Sequence, residues 1–161
     1  MNNIHRSTSK DHNAVWAILQ PIFRAGETYA QPTDIFREEA LAYWLGGHHT
    51  GYIAVEDNQT LGTYYITPNQ LGGGAHVCNC GFATAPNARG KGIARKMLAH
   101  ALETARAQGY RAMQFNFVVT TNADALKIWS DNGFTEVGRL HNAFNHPTEG
   151  FVDALILYKT L

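Results

Sequence analysis

Pro86-Asn87-Ala88-Arg89-Gly90-Lys91-Gly92-Ile93-Ala94-Arg95-Lys96-Met97-Leu98 joins a run with strand character to a run with helical spacing. Upstream, Ala75 to Thr84 reads as a strand, which Pro86 stops because proline has no N–H for a ladder. Downstream, Ile93, Met97, Leu98, Ala101, Leu102 and Ala105 share one helical face. Gly90 and Gly92 permit steep turns and the close approach of a ligand. The first turn of a helix carries unpartnered N–H groups and a positive dipole end, and Arg89 and Lys91 add charge there. Together these features make a seat for a phosphate or pyrophosphate. Two common phosphate loops do not fit. The dinucleotide fingerprint needs a glycine where Arg95 stands, and the Walker loop needs Ser or Thr where Gly92 follows Lys91. The plain alternative is a Gly-rich turn before an ordinary surface helix.

Outward from that stretch, 161 residues with 45% hydrophobic content suit one domain, residues 1–161, with one core. No apolar run approaches a bilayer span, and the start of the chain lacks the apolar stretch of a signal peptide. A cytoplasmic protein without a membrane partner is expected. Thirteen basic and thirteen acidic residues balance, which argues against a nucleic-acid partner. Cys78 and Cys80 share one strand face and have no second pair, so two buried reduced thiols are expected rather than a zinc site. The histidines lack ligand spacing, and no metal is expected.

Taken in order, Ile4 to Ser7 reads as a short strand. Val15, Ile18, Leu19 and Ile22 mark a helix, with Asp11 as its N-cap and Pro21 expected to kink or end it. Arg24 to Pro32 reads as a polar loop. A second helix is expected from Thr33 or Asp34, carrying Phe36, Ala40, Trp44 and Leu45 and ending at Gly46-Gly47. Gly51–Glu56 and Leu61–Thr67 read as a hairpin turning at Asp57-Asn58. After the central helix, Ala112 to Val119 alternates, with Met113, Phe115, Phe117 and Val119 on one face. A short helix spans Asn122 to Asp131 and closes at Asn132-Gly133. Phe134–Gly138 reads as a strand, then comes a loop holding His141 and His146, then a strand over Phe151–Tyr158. The fold class is α/β (α+β): a mixed, mostly antiparallel sheet with helices on both faces, in the order βααβββαβαββ.

Arg-x-x-Gly-x-Ala at 89–94 resembles the acyl-CoA pyrophosphate loop of the GNAT superfamily of N-acetyltransferases, and the element order is the one that fold uses. Asn122 through Phe134 resembles the superfamily's next helix and strand, except that Trp129 stands where a Tyr is usual. In many relatives that Tyr protonates the CoA thiolate. An indole N–H is no acid at neutral pH, so Trp129 is read as packing against the cofactor arm or core. Phe115 to Asn122, Cys78 to Phe82 and Gly26 to Tyr29 are similar to fungal N-acetyltransferases that act on proline analogues such as azetidine-2-carboxylate.

The resemblance implies acetyl-CoA as cofactor, without metal, and a small-molecule amine as acceptor. An amino acid or proline analogue leads, and a homodimer joined near the last strands is expected. It places Phe82, Ala83, Thr84, Arg89, Gly90, Lys91, Gly92, Ile93, Ala94, Asn122 and Trp129 on the cofactor, and Asn79, Asn116, Phe82, Tyr29 and His141 beside the acceptor. Asn79 and Asn116 are neutral amides that offer donors and acceptors without burying a charge. Asn122 is either a helix cap or a group reaching the acetyl region. Glu27 and His141 are the candidate bases; for Glu27 the plain reading is a solvated loop carboxylate. The competing functions are a protein N-terminal or lysine acetyltransferase and a non-catalytic acetyl-CoA-binding module.

Overall fold

The computed structural model of the chain describes residues 3–161. Its elements follow as β1 (Asn3–Arg6), α1 (His12–Ala25), α2 (Arg37–Leu45), β2 (Thr50–Glu56), β3 (Gln59–Pro68), β4 (Val77–Thr84), α3 (Ile93–Ala107), β5 (Ala112–Val119), α4 (Ala123–Asp131), β6 (Thr135–His146) and β7 (Gly150–Thr160). The order is the one the sequence predicts. The strands form one sheet, β1-β2-β3-β4-β5-β7-β6. Among the described strands only β4 and β5 run parallel, because α3 carries the chain back across the sheet between them.

Strand β3 shows how both faces are covered, since alternate residues point opposite ways. A Cβ on Gly62 would press on Met97 and Ile93, and Tyr64 meets His100, so that face packs on α3. The intervening Thr63 and Tyr65 meet Trp44 of α2. Thr63 is fully buried yet satisfied: Trp44 Nε1 donates to its hydroxyl at 3.1 Å, and the hydroxyl donates to Tyr52 O at 2.8 Å. Cys78 and Cys80 are free and buried. Among the described residues no helix is long and apolar enough to cross a membrane.

Several local expectations are corrected. Pro21 does not end α1, which runs on to Ala25 with Ile22 and Phe23 buried and stops at left-handed Gly26. Burial of that last turn outweighs the lost hydrogen bond. Asp11 holds the N-cap position without a side-chain bond to α1; its carboxylate instead accepts the Thr8 N–H at 2.7 Å in the preceding short turn. Helix α2 begins at Arg37, not Thr33 or Asp34, and Phe36 ahead of it is 69% exposed. The alternation in β5 breaks at a bulge between Phe115 and Val118, so Phe117 turns from the Phe115 cluster and meets Phe144 instead. The expected loop around His141 and His146 is strand: β6 continues to His146 and forms a long hairpin with β7.

Candidate active site

Strands β4 and β5 pair only at Val77↔Ala112 and Cys78↔Met113, then diverge, while β4 stays paired with β3 as far as Gly62↔Thr84. The separation opens a cleft of about 850 Å³ that runs from the α1–α2 loop to the start of α3 and is walled by β4, β5 and α4. That volume accommodates a substantial organic ligand.

Two side chains stand in for the missing ladder. Asn79 Nδ2 donates to Gln114 O at 2.8 Å, and Tyr29 Oη donates to Phe82 O at 2.7 Å. Asn79 Oδ1 in turn accepts from Tyr65 Oη at 3.3 Å. Tyr65 is fixed on several sides. His49 stacks on its ring at 4.1 Å between centroids, Trp44 meets it edge-on at 4.9 Å, and a Cβ on Gly81 would collide with the ring. Glycine at 81 is therefore required for Tyr65 to lie across β4 into the cleft. Burial pushes the Tyr29 and Tyr65 hydroxyls well above the ordinary phenol range, with neighbouring Tyr43 adding to it. Both remain protonated near neutral pH, so neither is a general base.

At the other end the expected loop geometry is present. Gly90 and Gly92 both have φ of +78°, and a Cβ on either would meet nothing within 4 Å. Helix α3 starts at Ile93 with no side-chain cap, and Lys96 N donates to Gly92 O at 3.1 Å. The N–H groups of Ile93, Ala94 and Arg95 precede that first helical bond and face the loop. These N–H groups, with Arg89 and Arg95 lining the same end of the cleft, are the groups that could hold an anion such as a pyrophosphate. Arg95 and Lys127 share Asp131, at 2.9 and 3.1 Å, and hold its carboxyl below the usual range, Arg95 contributing most.

Of the residues named from sequence, Glu27, Tyr29, Asn79, Phe82, Thr84, Arg89, Gly90, Gly92, Ile93, Ala94, Asn116, Asn122 and Trp129 line this one cleft. Asn122 holds the N-cap position of α4 without a side-chain cap bond. Trp129 is 7% exposed and packs on Phe82 and Phe115, with centroids at 5.2 and 4.8 Å. Asn116 accepts from Gln114 Nε2 at 3.0 Å and donates to Asn69 Oδ1 at 2.7 Å. Three residues fall outside the lining. Ala83 is buried on β4, Lys91 points to solvent, and His141 has an exposed side chain whose Nδ1 lies 3.5 Å from Asp153. His141 sits in β6 rather than in a loop, and it does not line the cleft. Gln31, Tyr43 and His146, which are not among the candidates named from sequence, also line the cleft. Nothing in their local sequence marks them: the α1–α2 loop brings in Gln31, the packing of α2 brings in Tyr43, and the register of the β6–β7 hairpin brings in His146.

The acetyltransferase (GNAT) family model matches residues 12–134. The N-acetyltransferase aca1 of Schizosaccharomyces pombe (strain 972 / ATCC 24843) is 38% identical over 97 residues, covering 60% of this chain and 46% of that protein. The chain thus spans about half the length of that relative. A GCN5-related N-acetyltransferase from Kribbella flavida superposes with a TM-score of 0.94 at 35% identity, covering 99% of this chain and 98% of that one. A phosphinothricin acetyltransferase from Sinorhizobium meliloti, solved in complex with AcCoA, shares the fold with a TM-score of 0.85 at 16% identity, over 99% and 88% of the two chains.

Proposed function

This chain belongs to the acetyltransferase (GNAT) family, and we propose that it transfers the acetyl group of acetyl-CoA to the amine of a small molecule, an amino acid or proline analogue. The observation that carries the reading is the parting of β4 from β5 beyond Cys78 and Met113, which leads one cleft from the Tyr29–Tyr65 end to the Gly90–Gly92 turn. Such a cleft holds a long co-substrate along a strand and presents its reactive end to an acceptor.

The thioester supplies an electrophilic carbonyl carbon; the amine nitrogen forms the new C–N bond there as the C–S bond breaks. The chain's part is to bind, orient and stabilise. The 89–95 turn grips the diphosphate. Backbone N–H groups of β4 within Phe82–Thr84, no longer shared with β5, meet the developing oxyanion. Tyr29 occupies the Phe82 carbonyl and fixes that part of the strand. Glu27 takes the proton of the incoming ammonium, directly or through water. Trp129 packs against the pantetheine arm rather than protonating the thiolate, which takes up through solvent the second proton that nitrogen releases as the C–N bond forms.

Calorimetry with acetyl-CoA, together with CoA-thiol release over a panel of amines, tests the reading. Saturable binding and turnover with small amino acids or proline analogues are expected. Turnover only with peptides would move the acceptor class to protein N-termini or lysines. Tight binding without turnover on any amine would leave only a binding module.

A further inference from the structure

His146 ends β6 and lines the cleft, half-buried, at the tip of the β6–β7 hairpin. Its Nδ1 accepts the N–H groups of Thr148 at 3.2 Å and Glu149 at 3.1 Å. The lone pair is therefore on Nδ1, and the neutral ring carries its proton on Nε2. These bonds fix the ring and leave Nε2–H as a donor. The tip lies over the acceptor end: a Cβ on Gly26 would be 3.8 Å from Pro147 Cγ, and Glu27 lines the cleft beside it. Among the described residues no lysine or arginine lines that end. The cleft's cationic side chains, Arg89, Arg95 and Lys127, belong to the end bounded by α3 and α4.

We propose that His146 binds the carboxylate of the acceptor through Nε2–H while Glu27 meets its amine, so that the site selects zwitterionic amino acids. This rests on the small-molecule reading above and names the group that sets the specificity. A hydrogen bond to a charged partner at a fixed donor discriminates about tenfold or more against an amine that lacks the carboxylate.

Azetidine-2-carboxylate and azetidine form the test pair. The wild type should prefer the acid by about tenfold or more in kcat/KM. His146→Asn keeps an oxygen for the Thr148 and Glu149 N–H groups but has no donor at the Nε2 position. It should raise KM for the acid about tenfold more than for azetidine, with acetyl-CoA affinity unchanged. His146→Gln, whose amide nitrogen reaches the Nε2 position, should recover part of the preference. Calorimetric binding of the acid to the CoA-loaded protein gives a second readout that needs no turnover. No preference in the wild type, equal losses for both substrates in His146→Asn, or no binding of the acid would each overturn the proposal. Acetyl-CoA binding in the same cell separates the two levels: if it persists, only the role of His146 falls, and if it is absent the acetyltransferase reading falls with it.

Discussion

Asn79 Nδ2 donates to Gln114 O over 2.8 Å, one residue beyond the last paired positions of β4 and β5. A carbonyl that would otherwise serve the ladder is capped by an amide side chain, so the strands part at a fixed place without leaving a polar group unpaired. The same amide oxygen accepts from Tyr65, which ties that wall of the cleft to the point of divergence.

Asn79→Ala removes both bonds at a half-buried position. A loss of about 1–3 kcal/mol is expected, read by scanning calorimetry as a fall in Tm of about 2–4 °C per kcal/mol for a chain of this size. An unchanged Tm would show that water replaces the amide at no cost and that Asn79 does not hold the strands apart.

Gly81→Ala places a methyl group against the Tyr65 ring, which cannot retreat because His49 stacks on it and Trp44 meets it edge-on. Overpacking of this kind costs about 1–3 kcal/mol. The displaced ring should raise the acceptor KM severalfold with little change in acetyl-CoA affinity. Steady-state kinetics with each substrate varied in turn separates the two, and a rise confined to acetyl-CoA would contradict the placement of Tyr65 at the acceptor.

Arg89→Glu reverses a charge beside the turn, and Gly92→Asp adds a carboxylate at φ +78°, a conformation that L-residues adopt only under strain. Both should weaken acetyl-CoA binding at least about tenfold, Gly92→Asp the more severely. Calorimetry showing wild-type affinity in both would remove the diphosphate from this turn.

Burial pushes the pKa values of His49 and His100 below the ordinary imidazole value of 6.5. Above that value both are neutral, folded or unfolded. As pH falls through it the unfolded chain protonates first and binds more protons, so stability falls with falling pH. Asp131 and Asp153 titrate below 3.8, Asp131 held down chiefly by Arg95 and Asp153 by the Asn142 N–H, so their contributions are lost only under stronger acid. Tm should therefore decline between about pH 7 and pH 5.5. His49→Phe keeps a ring against Tyr65 and should flatten the decline. An equal slope in the variant would exclude His49 as a source.

Much of the cofactor end is legible because its signals are local. The strand stop at Pro86, the two glycines, the charges beside them and the apolar face of α3 lie within about twenty residues, and each has a backbone meaning independent of distant partners. The acceptor end is less legible. Asn79 reads as a ligand group from its type and position, yet its amide is engaged with Gln114 and Tyr65. His141 and His146 look equivalent in sequence, but β6 runs through both and turns only after the second. One therefore pairs with Asp153 and the other reaches the cleft.

The sequence by itself determined the element order, the crossover through α3 and the glycine turn ahead of that helix, because periodicity, proline and glycine act on neighbouring backbone. Only the tertiary structure decided where β4 leaves β5, which asparagine side chains are spent on holding the fold, and which histidine reaches the cleft. Those outcomes depend on strand register, a bulge in β5 and the length of the β6–β7 hairpin, and each is set by packing between residues far apart in the chain.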